Sequence, residues 1–320
     1  MRADIHLKNG ATLMLPVATN IDGSRFTVTS GSKFVLPPLI TAYNGDFNAL
    51  SLGGHVGFTA IGPGSLIDLR GLSRLQGNNA LFQDCDVVAR DGAVIDISDL
   101  RTISSGQIQI TAESSGISSA SKIDLSALEE YSSAGPVTRT IYLNIGGNGV
   151  VALPKLRLFQ NAYVHLYSGG HIDLPSLTNI DGTSIKASGT TFVLPERITT
   201  YADTGASLGG TGARFEANGN EGKLDLTSLR EIKGSGHFTR TMLVSADGGT
   251  VLAGNIETLS SGYLGVEASQ PNSFVDVSKL RNIWDDSATF SFLKIANLTT
   301  RQLNGGIISI PLALRISVCA

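Results

Sequence analysis

The chain has few charged side chains, 16% of its 320 residues, and few aromatic ones, 6%, with one tryptophan, Trp284. Low charge and a net of -3 remove the basic face that a nucleic-acid binder needs. A sugar-binding groove stacks rings on tryptophan or tyrosine, so scarce aromatics count against a carbohydrate site without removing it. Only two cysteines occur, Cys85 and Cys319, which excludes a disulfide scaffold. Cys85, inside LFQDCDVV, reads as a small core residue. No apolar run approaches the roughly 20 residues of a membrane-spanning helix. The opening MRADIHLKNG has no apolar stretch of the kind that forms a signal peptide. Sequences for a nucleophile elbow, a zincin, a phosphate-binding loop and an EF-hand are also missing.

What remains is glycine, at 37 residues, and a 42% hydrophobic share rich in β-branched and leucine side chains. That balance suits strands and tight turns. One pattern recurs: apolar, variable, apolar, two variable, leucine, two variable, apolar. It reads IDLRGLSRL from Ile67, IDISDLRTI from Ile95, IDLSALEEY from Ile123 and VALPKLRLF from Val151. IDLPSLTNI from Ile172, LDLTSLREI from Leu224 and VDVSKLRNI from Val275 continue it. The middle residue of the first triplet falls at 14, 35, 68, 96, 124, 152, 173, 193, 225, 252, 276 and 309. Each copy is followed by a Gly-rich or polar turn and a second alternating strand, such as RFTVTS at Arg25 or QIQITA at Gln107. Units of this length cannot bury their few apolar residues alone. Stacked as a solenoid, they place leucine on leucine along a continuous core. Proline at Pro16, Pro37, Pro154, Pro175, Pro195 and Pro311 argues against a helical reading of the three-residue spacing. The expected fold is all-β: a single parallel β-helix of about eleven or twelve coils.

A larger period lies above the coils. FVLPPLITAY from Phe34 returns as FVLPERITTY from Phe192, and HLKNGATLMLPVATNIDG from His6 as HLYSGGHIDLPSLTNIDG from His165. IISIPLAL at Ile307 repeats the register of GVVALPKL at Gly149. These matches predict two duplicated halves, about 3–160 and 161–314, in one unbroken solenoid over 1–320. They also predict that the chain is a segment of a longer repeat protein and that its ends can associate.

The pattern resembles the right-handed parallel β-helix, or pectin-lyase-like, class, and more closely bacterial surface proteins built from loose LPxLTxI-type coils. The resemblance covers nearly the whole chain and supplies the hand of the helix. It implies an extracellular or cell-surface setting. It also implies either a non-catalytic adhesive or structural module or a hydrolase or lyase, since the class holds both.

The outward member of the triplet is Asp68, Asp96 and Asp124 in three successive coils, and Asp173, Asp225 and Asp276 elsewhere. In register, neighbouring carboxylates would stand about 4.8 Å apart and repel by roughly 3 kcal/mol at an effective dielectric of 20. A raised pKa, a nearby lysine or arginine, or a bound metal would each relieve this. A hard-oxygen site would take calcium, and the resemblance implies calcium on aspartates of adjacent coils. Asp68, Asp96 and Asp124 are therefore the candidate metal ligands. The plainer reading makes each aspartate a strand-end cap. Further expectations are a charge ladder of Arg101, Glu129 and Arg157, with Arg230, Glu257 and Arg281 as its copy. The pair Asp84 and Asp86 could serve as an acid–base or metal pair, and His6 and His165 as half-buried ladder residues. Excursions at 44–62, 202–219 and 293–306 could wall a groove beside the Asp face. Carbohydrate or another surface protein is the expected partner.

Overall fold

In the computed structural model the described residues are 3–45, 55–77, 85–103, 106–116, 119–132, 141–204, 212–234, 241–285, 298–303, 305–310 and 315–318. They form an all-β parallel solenoid, with strands but no helix among them. The chain divides into two compact units, residues 1–162 with 167–176, and residues 163–166 with 177–320.

In the first unit each coil after the first contributes a strand to three parallel sheets, and the first coil to two of them. The long strands are Asp4–Leu7, Arg25–Thr29, Val56–Ile61, Cys85–Arg90, Ile108–Glu113 and Ile141–Gly146. Alternation turns Phe26, Val28, Phe58, Ala60, Val87 and Ile110 inward, each at most 1% exposed. Cys85 lies on this core side, fully buried, as its sequence context predicts. Middle strands run from Thr12–Met14 through Lys33–Val35, Leu66–Asp68, Val94–Asp96 and Lys122–Asp124 to Val150–Ala152. Short strands, Ala42–Asn44, Arg74–Gln76, Thr102–Ile103, Glu130–Ser132 and Leu158–Gln160, make the third sheet. The sequence pattern reveals two strands per coil; the third is an addition. It carries the last apolar residue of the nine-residue motif, such as Leu75, Ile103 or Phe159.

The leucine spacing has a simple cause. Leu72 N–H bonds the Leu69 carbonyl at 3.0 Å, Leu100 that of Ile97 at 3.1 Å, and Leu128 that of Leu125 at 2.9 Å. A β-turn closes between the two apolar residues, and a turn of that span returns both side chains to the core. All six are at most 1% exposed. Left-handed turn residues separate long from middle strands: Asn9 and Gly10, Ser30 and Gly31, Asp91 and Gly92.

The second unit repeats this scheme. Its long strands are Ser184–Ser188, Arg214–Asn218, Thr241–Ala246, Leu264–Ser269 and Leu298–Leu303. The middle strands are Thr191–Val193, Lys223–Asp225, Thr250–Leu252, Phe274–Asp276 and Ile307–Ser309. The two units also make matching single hydrogen bonds. Tyr43 donates its hydroxyl to the Ser24 carbonyl at 2.7 Å, and Tyr201 to that of Thr183 at 3.3 Å. Burial pushes both phenols far above their ordinary pKa. Asp22 accepts the Asn44 N–H at 2.7 Å while Asn20 holds its other oxygen at 2.9 Å. Asp181 accepts the Ala202 N–H at 2.7 Å and is held by Asn179 at 2.8 Å.

Candidate functional site

The three candidate ligands stand in register. Asp96 lies opposite Asp68 on one side and Asp124 on the other. The ladder stops at Val35 and Ala152, which hold the same place in the flanking coils. In the second unit Leu252 separates Asp225 from Asp276, so no carboxylate run forms there.

Each aspartate does the same local task. Asp68 Oδ1 accepts the backbone N–H of Arg70, Asp96 that of Ser98 and Asp124 that of Ser126, all at 3.1 Å. Asp225 accepts from Thr227 at 3.2 Å and Asp276 from Ser278 at 2.9 Å. This is an Asx turn, in which the carboxylate satisfies the N–H two residues on as the strand enters the corner. The sequence then explains where aspartate is dispensable. Met14, Val35, Ala152, Val193 and Ser309 replace it, and two residues beyond each stands Pro16, Pro37, Pro154, Pro195 or Pro311. Proline has no N–H to satisfy. Aspartate and proline are thus alternative solutions to one corner. Only Asp173, followed by Pro175, and Leu252, followed by Gly254, depart from the rule.

The remaining oxygens meet cations. Arg70 lies across two coils, its Nη2 2.5 Å from Asp68 Oδ2 and its Nε 3.7 Å from Asp96 Oδ2. Lys122 Nζ is 2.7 Å from Asp124 Oδ2. The Arg70 guanidinium holds the Asp68 carboxyl below its ordinary value. Burial pushes Asp124 up, but Lys122 and the Ser126 contacts outweigh it and leave that carboxyl lowered too. Of the three ways to relieve repulsion, cation pairing is the one these contacts supply. Among the described residues no three carboxylate, imidazole or thiolate groups come together to hold a metal ion. The donor set therefore offers calcium carboxylates already engaged by arginine, lysine and backbone N–H.

These pairs have an acid signature. A carboxyl whose folded pKa is lowered from 3.8 contributes stability at higher pH and loses it as pH falls through the folded value. Melting temperature should therefore drop steeply below about pH 4 in the parent. A double Asp68→Asn, Asp124→Asn variant should show a flatter acid limb, read by thermal melts from pH 7 to 3. Equal acid slopes would remove the pairs from the stability balance.

The other sequence candidates resolve differently. Arg157 Nη2 meets Glu129 Oε2 at 3.0 Å, and the backbone links Arg101 to Glu129 and Glu129 to Arg157. Arg230, Glu257 and Arg281 share the backbone links but, among the described residues, show no ion pair within 4.0 Å. The alternation of signs survives in both copies, whereas side-chain pairing is seen in one. His165 is half-buried and bonds Ser188 at 3.2 Å, as expected, but His6 is exposed because its strand is the first of its sheet. Asp84 lies outside the described residues, as do 46–54, 205–211, 293–297 and 304 of the long excursions.

Two features escaped sequence reasoning. His55 Nδ1 lies 3.0 Å from Asp86 Oδ2, an imidazole–carboxylate pair assembled across adjacent coils. Nothing in the linear sequence links residues 31 apart when coil lengths vary. A polar groove of about 320 Å³ also opens on the third face, lined by Asn20, Asp22, Leu39, Thr41, Asn44 and Arg74. It occupies a different face from the aspartates.

Fold and ladder together define a parallel β-solenoid whose outward aspartates fasten its corners. No protein-family model, curated protein or solved structure matches the chain.

Proposed function

We propose that this chain is a non-catalytic β-solenoid module of a secreted or cell-surface protein, with a structural and adhesive role. The observation that carries the reading is the commitment of the Asp68, Asp96 and Asp124 carboxylates to backbone N–H groups, Arg70 and Lys122. A reactive or metal-binding carboxylate keeps oxygens available for substrate or ion; these serve the coil that carries them. The resemblance to pectin-lyase-like and bacterial surface solenoids supports the setting. The groove beside Arg74 is the surface offered to a carbohydrate or protein partner.

The second reading is a calcium-dependent extracellular hydrolase or lyase acting on a polysaccharide, ester or lactone. The His55–Asp86 pair favours it, because a carboxylate that fixes an imidazole makes a serviceable base. One experiment separates the two. Thermal melts with calcium and with a chelator should superimpose, and substrate screens with calcium present should show no turnover. A calcium-dependent rise in melting temperature that Asp96→Asn abolishes, with turnover that His55→Ala abolishes, would overturn the module reading.

A further inference from the structure

The third sheet of the first unit has an outer strand, Ala42–Asn44, that is fastened at one end and open at the other. On its inner side Thr41 accepts the Arg74 N–H at 3.2 Å, and Gly45 donates to the Gln76 carbonyl at 2.9 Å. Alternation along a parallel ladder then directs the N–H and C=O of Ala42 and Asn44 the other way, toward the first coil. That coil meets only Asn44. Asp22 Oδ1 accepts the Asn44 N–H at 2.7 Å, and Gly23 N–H bonds the Asn44 carbonyl at 2.9 Å. Ala42 N–H and C=O have no hydrogen-bond partner among the described residues. Asn20 is turned onto Asp22 instead, donating to Oδ2 at 2.9 Å and accepting its N–H at 2.8 Å.

The sequence NIDG, from Asn20 and again from Asn179, makes this opening wherever it stands in the chain. In the second unit Asp181 and Gly182 engage Ala202 at 2.7 and 2.8 Å, with Asn179 on Asp181 at 2.8 Å. Thr200 is left as Ala42 is, its N–H and C=O without a partner among the described residues. The side chains beside the two openings differ. Ala42 lies in register with Arg74, but Thr200 with Glu231. Leu39, 63% exposed, stands at the first opening, and Arg197 at the second.

Arg74 is exposed, and among the described residues its guanidinium has no ion pair or hydrogen bond. Arg25, Arg70, Arg90 and Arg157 of the same unit each meet a carboxylate. The groove of about 320 Å³ brings Arg74, Leu39 and the open Ala42 edge together, and that volume is at the lower end for ligand sites. We propose that this groove takes an extended, carboxylate-bearing peptide segment of a partner protein. A peptide group of the segment pairs with Ala42 N–H and C=O, as an added strand does. Its carboxylate meets the Arg74 fork, and an apolar side chain rests on Leu39. A glycan fits less well. Sugars stack on exposed rings, and the one ring lining the groove, Tyr43, is turned inward with its hydroxyl on the Ser24 carbonyl. Glu231 repels such a ligand at the second opening, so one peptide per chain is expected. The proposal rests on the adhesive-module reading and names what the module grips.

Fluorescence anisotropy with the full chain tests it. The probes are labelled, capped pentapeptides with one glutamate and one leucine at varied positions. The best of them should bind one to one with a Kd of about 100 μM. Glutamine in place of its glutamate should weaken binding about tenfold, and so should Arg74→Ala, each removing one side of a charge-assisted hydrogen bond. The two changes together should cost no more than either alone, because they break the same contact. Arg101→Ala, at an exposed arginine outside the groove, should bind as the parent does. Arg74 is exposed, so its variant should melt with the parent, and the glutamine peptide gives the same answer without touching the fold. The proposal is overturned if no peptide binds below about 1 mM, or if Arg74→Ala binds the acidic peptide as the parent does. An acidic oligosaccharide that binds through Arg74 where the peptides do not also overturns it. The module reading is judged separately, by calcium melts and turnover, so its failure leaves a different trace.

Discussion

Replacing Phe58 by alanine should cost about 3–5 kcal/mol, the range for emptying a fully buried phenylalanine site. Phe58 is 0% exposed and sits inside a cluster of rings. Its centroid is 5.6 Å from Phe26 and 4.8 Å from Tyr43, while Phe26 stacks on Phe34 at 4.2 Å. The four rings come from two adjacent coils, so one truncation opens a void at the contact between them. The site relaxes poorly, because each neighbour is tied to its own sheet. Solenoid stability is a sum of coil and nearest-neighbour terms, so the loss should be local. Denaturant titration should show the lowered stability, and hydrogen exchange should rise first across residues 25–61. The equivalent place in the second unit holds Phe215, which meets Tyr201 edge-on at 5.0 Å. Phe215→Ala should place its exchange increase in the second unit instead. A loss below about 1 kcal/mol at Phe58 would mean that the cluster collapses freely and that coil stacking does not depend on it.

The second large effect is expected at Gly149. A Cβ there would stand 2.0 Å from the Ala112 carbonyl oxygen and 2.4 Å from its carbon. Backbone cannot yield as a flexible side chain can, so the coil must shift and loosen the bond from Val150 N–H to the Ser121 carbonyl. Gly149→Ala should therefore destabilise by about 3 kcal/mol, the upper part of the range for overpacking. Gly116 is the control: a Cβ there meets nothing within 4 Å, and Gly116→Ala should stay within about 0.5 kcal/mol of the parent. The same denaturant titration reads both. Matching midpoints for the two variants would refute the close-approach argument. The position just before the middle strand is small in all but one coil, with Ala11, Ser32, Ser65, Ala93, Ser121, Gly149, Gly170, Gly222, Gly249, Ser273 and Gly306; Thr190 is the exception. Where serine is used, its hydroxyl accepts a turn N–H from the coil before, as from Gly92 to Ser121 and from Gly248 to Ser273, both at 3.0 Å. Bulk at this column is limited by the spacing of the coils themselves.

The sequence by itself determined the all-β class, the coil and its register. Apolar residues two apart, then three apart twice, recur because one inward side chain per strand and two at each corner suffice to build the core, so Ile67, Leu69, Leu72 and Leu75 could be named as buried before any coordinate. The placement of Asp68, Asp96 and Asp124 in one column follows from the same arithmetic, because in-register parallel stacking turns equal motif positions into neighbours. What those carboxylates do was decided only by tertiary structure. Arg70 reaches Asp96 only because another coil lies beside it, and the corner turns Asp68 back onto its own backbone. The third strand of each coil was likewise invisible: two or three residues with a single inward side chain carry too little alternation to register in the sequence, and become a sheet only when neighbouring coils supply hydrogen bonds. His55 and Asp86 meet for a related reason. Their proximity depends on the length of the intervening coil, which follows no fixed period here, so the fold alone could bring them within 3.0 Å.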